Sequence, residues 1–157
     1  MKRTQLPPSS EQALKAWVVL NRAFAAINRH ADADIARHDL TGAEFAVLDV
    51  LHHLGPQLLG DLQRKVLVSS GGVTYLVDRL AKRGLVERQA CPGDRRARYA
   101  ALTPAGKALM SRIFPEHARC IARALGGLSK SQLAEVTALL RELGRSAAGI
   151  PLEADEA

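Results

Sequence analysis

The chain has 157 residues, 47% hydrophobic and 24% charged, the composition of one globular domain with its own core. Its 22 Lys and Arg against 16 Asp and Glu give a formal net charge of +6, which favours a polyanionic partner. No apolar run approaches the ~18 residues of a membrane span, MKRTQLPPSSEQ lacks the apolar segment of a secretory signal, and Cys91 and Cys120 alone make no disulfide framework, so a reduced cytoplasmic protein is expected.

Residues 1–8 read as a flexible arm. Ser9 and Ser10 can cap a helix, and Leu14, Trp17, Val18, Phe24, Ile27, Ala31 and Ile35 then recur at helical spacing. One long helix over 9–37 is expected. Thr41 and Glu44 make a capping box, opening a second helix through Phe45, Val47, Leu48, Val50 and Leu51 to about Leu54. Gly55-Pro56 ends it. A shorter helix follows on Leu58, Leu59, Leu62 and Val66, and Leu67-Val68-Ser69 reads as a turn. Gln57 and Gln63 are either phosphate contacts or ordinary surface residues.

The organising stretch runs from Ser69 to Thr103. Ser69 or Ser70 can cap a helix whose apolar stripe is Val73, Leu76, Val77 and Leu80. Ser70, Thr74, Tyr75, Asp78, Arg79 and Lys82 fall off that stripe, and Gly84 sits where helices end in a left-handed residue. Gly71 and Gly72 weaken a helix by about 1 kcal/mol each, which close backbone approach to DNA would justify. Short hydroxyls and Tyr75 suit base edges in a major groove, with Arg79 and Lys82 suited to phosphates. Val86 and Arg88, then Tyr99 and Ala101, alternate with their neighbours as two short strands would, and Cys91-Pro92-Gly93-Asp94 is turn chemistry. Arg95, Arg96 and Arg98 crowd that hairpin, which fits the negative potential of a narrow minor groove, and Asp94 could hold one of them.

Thr103-Pro104 caps and starts the next helix, which carries Leu109, Ile113, Phe114, Ile121 and Leu125. Pro115 should kink or interrupt it, and Gly126-Gly127 should close it. Ser129 to Gln132 is a second capping box, opening a last helix with Leu133, Val136, Leu139, Leu140 and Leu143 to about Gly144. Residues 148–157 read as a flexible acidic tail.

Gly84-Leu85-Val86-Glu87-Arg88, then Asp94-Arg95-Arg96, then Leu102-Thr103-Pro104-Ala105-Gly106, resemble the MarR family of winged helix-turn-helix transcriptional regulators. The resemblance spans about Leu14 to Leu143. It implies a mainly α fold of about six helices with a small β-hairpin wing. Residues 41–103 would form the DNA-binding region, and the helices of 9–37 and 104–147 a dimerisation region. It further implies a homodimeric repressor on a pseudo-palindromic operator, with two recognition helices roughly 34 Å apart. The DNA-binding set is then Ser69, Ser70, Gly71, Thr74, Tyr75, Arg79, Lys82, Asp94, Arg95, Arg96 and Arg98. The family's small aromatic or phenolic ligands turn attention to Trp17, His52, His53 and Tyr75, although Trp17 as core and the histidines as surface is the simpler expectation.

Two other inputs are open. Cys91 lies near Arg88, Arg95 and Arg96, and cations lower a thiol pKa, so a redox or quinone sensor is one alternative. His117 and Cys120 share a helix face, but no Cys-x-x-Cys accompanies them, so no metal site is expected. Gly71-Gly72 lacks the P-loop and dinucleotide patterns, and no nucleophile has a base placed beside it, so neither catalysis nor a cofactor is expected. A non-enzymatic architectural winged helix is the remaining alternative.

Overall fold

A computed structural model describes residues 7–66, 69–91 and 94–151. Within them lie α1 (Pro8–Ala36), α2 (Gly42–Leu54), β1 (Gln57–Leu58), α3 (Leu59–Val66) and α4 (Ser70–Lys82), followed by β2 (Val86–Cys91), β3 (Asp94–Leu102), α5 (Pro104–Ala124) and α6 (Lys130–Ala148). The expected arm, turn and tail lie partly outside the described residues, at 1–6, 67–68 and 152–157. The chain forms two compact units, Met1–Ile121 and Ala122–Ala157.

In the first unit the core is shared by α2, α3, α4, the sheet and α5. Val47, Leu48, Leu62, Val77, Leu80, Met110 and Ile113 are fully buried in it. The capping box at α2 forms as expected: the Thr41 hydroxyl accepts from the Glu44 amide at 3.2 Å, and the Glu44 carboxylate accepts from the Thr41 amide at 2.8 Å. α1 joins this lobe near its C-terminus, where buried Asp34 meets the Nδ1 of His117 on α5 at 3.1 Å. His117 also lies against Phe45, with ring centroids 4.4 Å apart.

The wing is part of a three-stranded antiparallel sheet in the order β1-β3-β2. The sequence had Leu58 opening a helix; instead Gln57 and Leu58 are extended and pair with Ala100 and Tyr99 of β3. Gly55 (φ 71) turns the chain after α2, and the two residues after Pro56 take backbone hydrogen bonds that the free edge of β3 leaves open.

The join between α4, the sheet and α5 is close. Leu85 N donates to Leu80 O at 3.0 Å and Gly84 N to Ala81 O at 2.9 Å, a Schellman end on α4 with Gly84 left-handed at φ 69. The Thr103 hydroxyl donates to Gly84 O at 2.6 Å and accepts from Gly106 N at 3.0 Å, so it ties two elements while capping α5. A Cβ on Gly106 would stand 2.1 Å from Leu85 O, so only glycine fits there.

Three further helix features differ from expectation. α1 starts at Pro8 from an N-cap Pro7 with no side-chain cap, and not from Ser9 or Ser10. α5 runs uninterrupted through Pro115. Pro115 and Ser111 are both exposed, so the carbonyl released by the missing N–H can face water. In the second unit, α6 begins at the expected Ser129 capping box but continues past Gly144 to Ala148. No residue of α6 is buried, and Leu139 is 59% exposed. α1 likewise exposes Leu14, Trp17, Val18 and Phe24 along most of its length.

Candidate nucleic-acid interface

The element expected to read DNA is α4, and its capping and burial decide which face it offers. Ser69 caps it, accepting from Gly72 N at 3.1 Å. The stripe Val73, Leu76, Val77 and Leu80 is buried against the lobe. Burial of that stripe turns Gly71, Thr74, Tyr75, Asp78, Arg79 and Lys82 outward, all exposed. A Cβ on Gly71 would meet nothing within 4 Å, so the lobe itself does not require glycine there.

Three of the charged groups at the C-terminal end of α4 and just beyond it are bound to the scaffold. Asp78 is paired with Arg88 of β2 at 2.7 Å, joining helix to wing. Arg83 donates to Asp39 O at 2.7 Å, in the turn after α1. The Nε of Arg79 lies 3.2 Å from the buried carboxylate of Glu44 on α2. Arg79 Nη1 donates to the Tyr75 hydroxyl at 3.4 Å, and its guanidinium sits 5.8 Å from the Tyr75 ring centre. The Tyr75 hydrogen bond first, then the Glu44 charge, hold the Arg79 pKa above its ordinary value, so it stays a cation. Arg79 is therefore held by Glu44 and Tyr75 while its side chain stays about half exposed; Lys82, exposed in the last turn, is less constrained.

The wing strands pair from Val86↔Leu102 to Ala90↔Arg98, after which the register shifts and Cys91 pairs with Asp94. Arg95, Arg96 and Ala97 therefore lie in a bulge near the tip, so the two arginines sit where the ladder is broken. Arg98 is exposed. Pro92-Gly93 and the side chains of Ser70, Cys91, Asp94, Arg95 and Arg96 lie outside what the structure describes.

The four aromatic ligand candidates are not brought together. His52 and His53 lie 5.0 Å apart by ring centre and both approach Phe114, His53 at 4.7 Å. Tyr75 belongs with Arg79 on α4. Trp17 is 63% exposed on α1, against the expectation that it is core, because α1 is covered only towards its C-terminal end. A cleft of about 560 Å³ does open beside the sheet, lined by Leu51, His52, Pro56, Gln89, Leu102 and Lys107 among others, so of the four only His52 faces it.

The remaining candidates have local roles. Gln57 Nε2 donates to Pro56 O at 3.0 Å and Leu54 O at 3.2 Å, so it closes the turn after α2. Cys120 is buried, its thiol donating to His30 O at 3.5 Å. Among the described residues no group of three or more His, Cys, Asp or Glu could hold a metal ion, and His117 is engaged by Asp34. Sequence reading did not find Glu44 or Arg88 as neighbours of α4. The capping box explained Glu44 completely, and Arg88 looked like one more wing cation.

A family model described as MarR family matches residues 38–97. HTH-type transcriptional regulator MhqR of Bacillus subtilis is 40% identical over 138 residues, covering 88% of this chain and 95% of that protein. The chain belongs to the MarR family. It is a DNA-binding transcriptional regulator of that family, and its fold is the family's winged helix. Sco3205, a MarR family transcriptional regulator from Streptomyces coelicolor seen in complex with DNA, superposes with a TM-score of 0.80 at 23% identity, covering 99% of this chain and 97% of that one. Bordetella bronchiseptica BpsR, whose DNA binding is regulated by 6-hydroxynicotinic acid, matches at TM-score 0.73 and 28% identity, covering 80% of this chain and 90% of that one. No described helix is long and apolar enough to cross a membrane.

Proposed function

We propose that this MarR-family regulator is a cytoplasmic homodimeric repressor, released from a pseudo-palindromic operator by a small aromatic or phenolic ligand. The observation that carries the reading is the outward polar face of α4 beside a wing whose bulge holds Arg95 and Arg96. Ser70, Thr74 and Tyr75 meet base edges in the major groove, with Gly71 letting the backbone approach and Ser69 opening the helix. Lys82, with the half-exposed edge of Arg79, faces phosphates. Arg95, Arg96 and Arg98 follow the minor groove, with Asp94 holding one of them in place. No cofactor and no catalytic step enter this role.

Dimerisation is supported by the apolar residues that α1 and α6 each leave exposed, which a second copy would cover. Two copies of α4 then meet successive major grooves on one side of the duplex. The ligand reading is supported by the cleft at His52, where Leu51, Pro56 and Leu102 offer apolar surface to a flat ring and His52, Gln89 and Lys107 offer partners for its hydroxyl or carboxylate. The regulation of BpsR by 6-hydroxynicotinic acid is a parallel in a relative. Release of DNA requires the ligand to bind better to an arrangement that does not fit the operator.

Selection of duplexes from a randomised pool with the full-length protein tests this. The expected result is an enriched inverted repeat, bound about a thousandfold more tightly than scrambled duplex, with a steep salt dependence. Binding without sequence preference would instead make the protein architectural. Titration of phenols, hydroxylated pyridine carboxylates and salicylate-like acids into the complex should release the duplex with at least one class; release by none contradicts the ligand reading.

A further inference from the structure

We propose that Glu44 is a positioning residue for DNA recognition: from inside the lobe it sets the orientation of Arg79 and, through Arg79, of the Tyr75 hydroxyl. The inference rests on the reading that the outer face of α4 meets base edges. Glu44 is fully buried. Its two carboxylate oxygens have separate tasks. Oε2 takes the Thr41 amide at 2.8 Å and the Thr41 hydroxyl at 3.0 Å, which completes the cap of α2. Oε1 contributes nothing to the cap. It faces Arg79 Nε at 3.2 Å and Arg83 Nη1 at 3.8 Å, both contacts being electrostatic, without hydrogen-bond alignment.

A glutamine serves a capping box as well as a glutamate does. The negative charge is thus surplus to the cap, and burying a carboxylate is costly unless cations offset it. Here the offsetting cations belong to α4 and the residue that ends it. The Arg79 guanidinium is planar and rigid, so fixing Nε against Glu44 also fixes the direction of Nη1, which meets the Tyr75 hydroxyl at 3.4 Å. Tyr75 itself is 59% exposed. A large side chain at the reading face is therefore oriented before DNA arrives, and orientation set in advance favours one sequence over others more than it adds to overall affinity. Arg83 adds a second tie through Asp39 O at 2.7 Å, so the C-terminal end of α4 is held at Arg79 and again just beyond it.

The test uses the full-length protein, the duplex enriched by selection and a scrambled duplex of the same length. Glu44→Gln keeps the cap and removes the charge. Arg79→Lys keeps a phosphate-seeking cation but cannot bridge Glu44 and Tyr75 together. Each should lower the preference for the selected over the scrambled duplex by about tenfold, the scale of one lost polar base contact. The double variant should be no worse than the worse single one, because both break the same linkage. The unfolding midpoint of Glu44→Gln should stay within a few degrees of wild type. Unchanged preference in a folded Glu44→Gln variant overturns the proposal, whatever Arg79→Lys does, as do effects that multiply in the double variant. Should Glu44→Gln fail to fold, Arg79→Lys decides alone, since retained preference there makes Arg79 a plain phosphate contact. A wild-type protein without preference for any duplex would instead remove the base-reading role of α4 itself.

Discussion

α4 and α6 carry the same kind of pattern and put it to different uses. The stripe of α4, Val73 to Leu80, is buried inside its own lobe. The stripe of α6, with Val136, Leu139, Leu140 and Leu143, is exposed along its length. Helical periodicity therefore tells which side of a helix is apolar and nothing about what covers it. In α4, burial of one side forces the polar side outward, where the proposed base reading lies; in α6 the apolar side stays exposed, where the proposed second copy would cover it.

Substitutions on the two stripes should separate these uses. Leu80→Ala, at a fully buried position, should cost about 2–5 kcal/mol in denaturant unfolding. That loss should be the same at every protein concentration. Leu139→Asp should instead leave the lobe folded, abolish the dimer that sedimentation of the wild type is expected to show, and remove the concentration dependence of the unfolding midpoint. A Leu139→Asp protein that sediments as wild-type dimer would break the comparison. Gly106→Ala should cost about 1–3 kcal/mol, since a Cβ there meets the backbone of Leu85 and not a flexible side chain; an unshifted thermal midpoint would show that α5 can move away. Arg96→Ala should weaken operator binding about tenfold without shifting the midpoint, and undiminished affinity would remove Arg96 from the interface. Thr41→Ala should be the mildest, about 1 kcal/mol from the lost cap of α2.

Most of this architecture was legible because it rests on local rules. Capping boxes at Thr41 and Ser129, the left-handed Gly84 and the buried stripe of α4 all follow from residue type and spacing. What was not legible depends on contacts between distant residues. β1 has two residues, too few to show a period, and exists because β3 has a free edge. Pro115 carries a helix-breaking signal that exposure of its turn cancels. In the candidate site, the outward set on α4 could be read, but the pairing of Arg79 with Glu44 spans thirty-five positions and that of Asp78 with Arg88 crosses from helix to wing. Trp17 shows the converse: an apolar aromatic at helical spacing looks like core, and one chain alone leaves it uncovered.

The most direct measurement is a hydroxyl-radical footprint of the full-length protein on its selected duplex. Two copies of α4 and its wing predict two protected patches on one face of the DNA, centred about 10 base pairs apart and related by the inverted repeat. A single patch, or uniform protection unrelated to the repeat, would contradict a paired helix-and-wing reader.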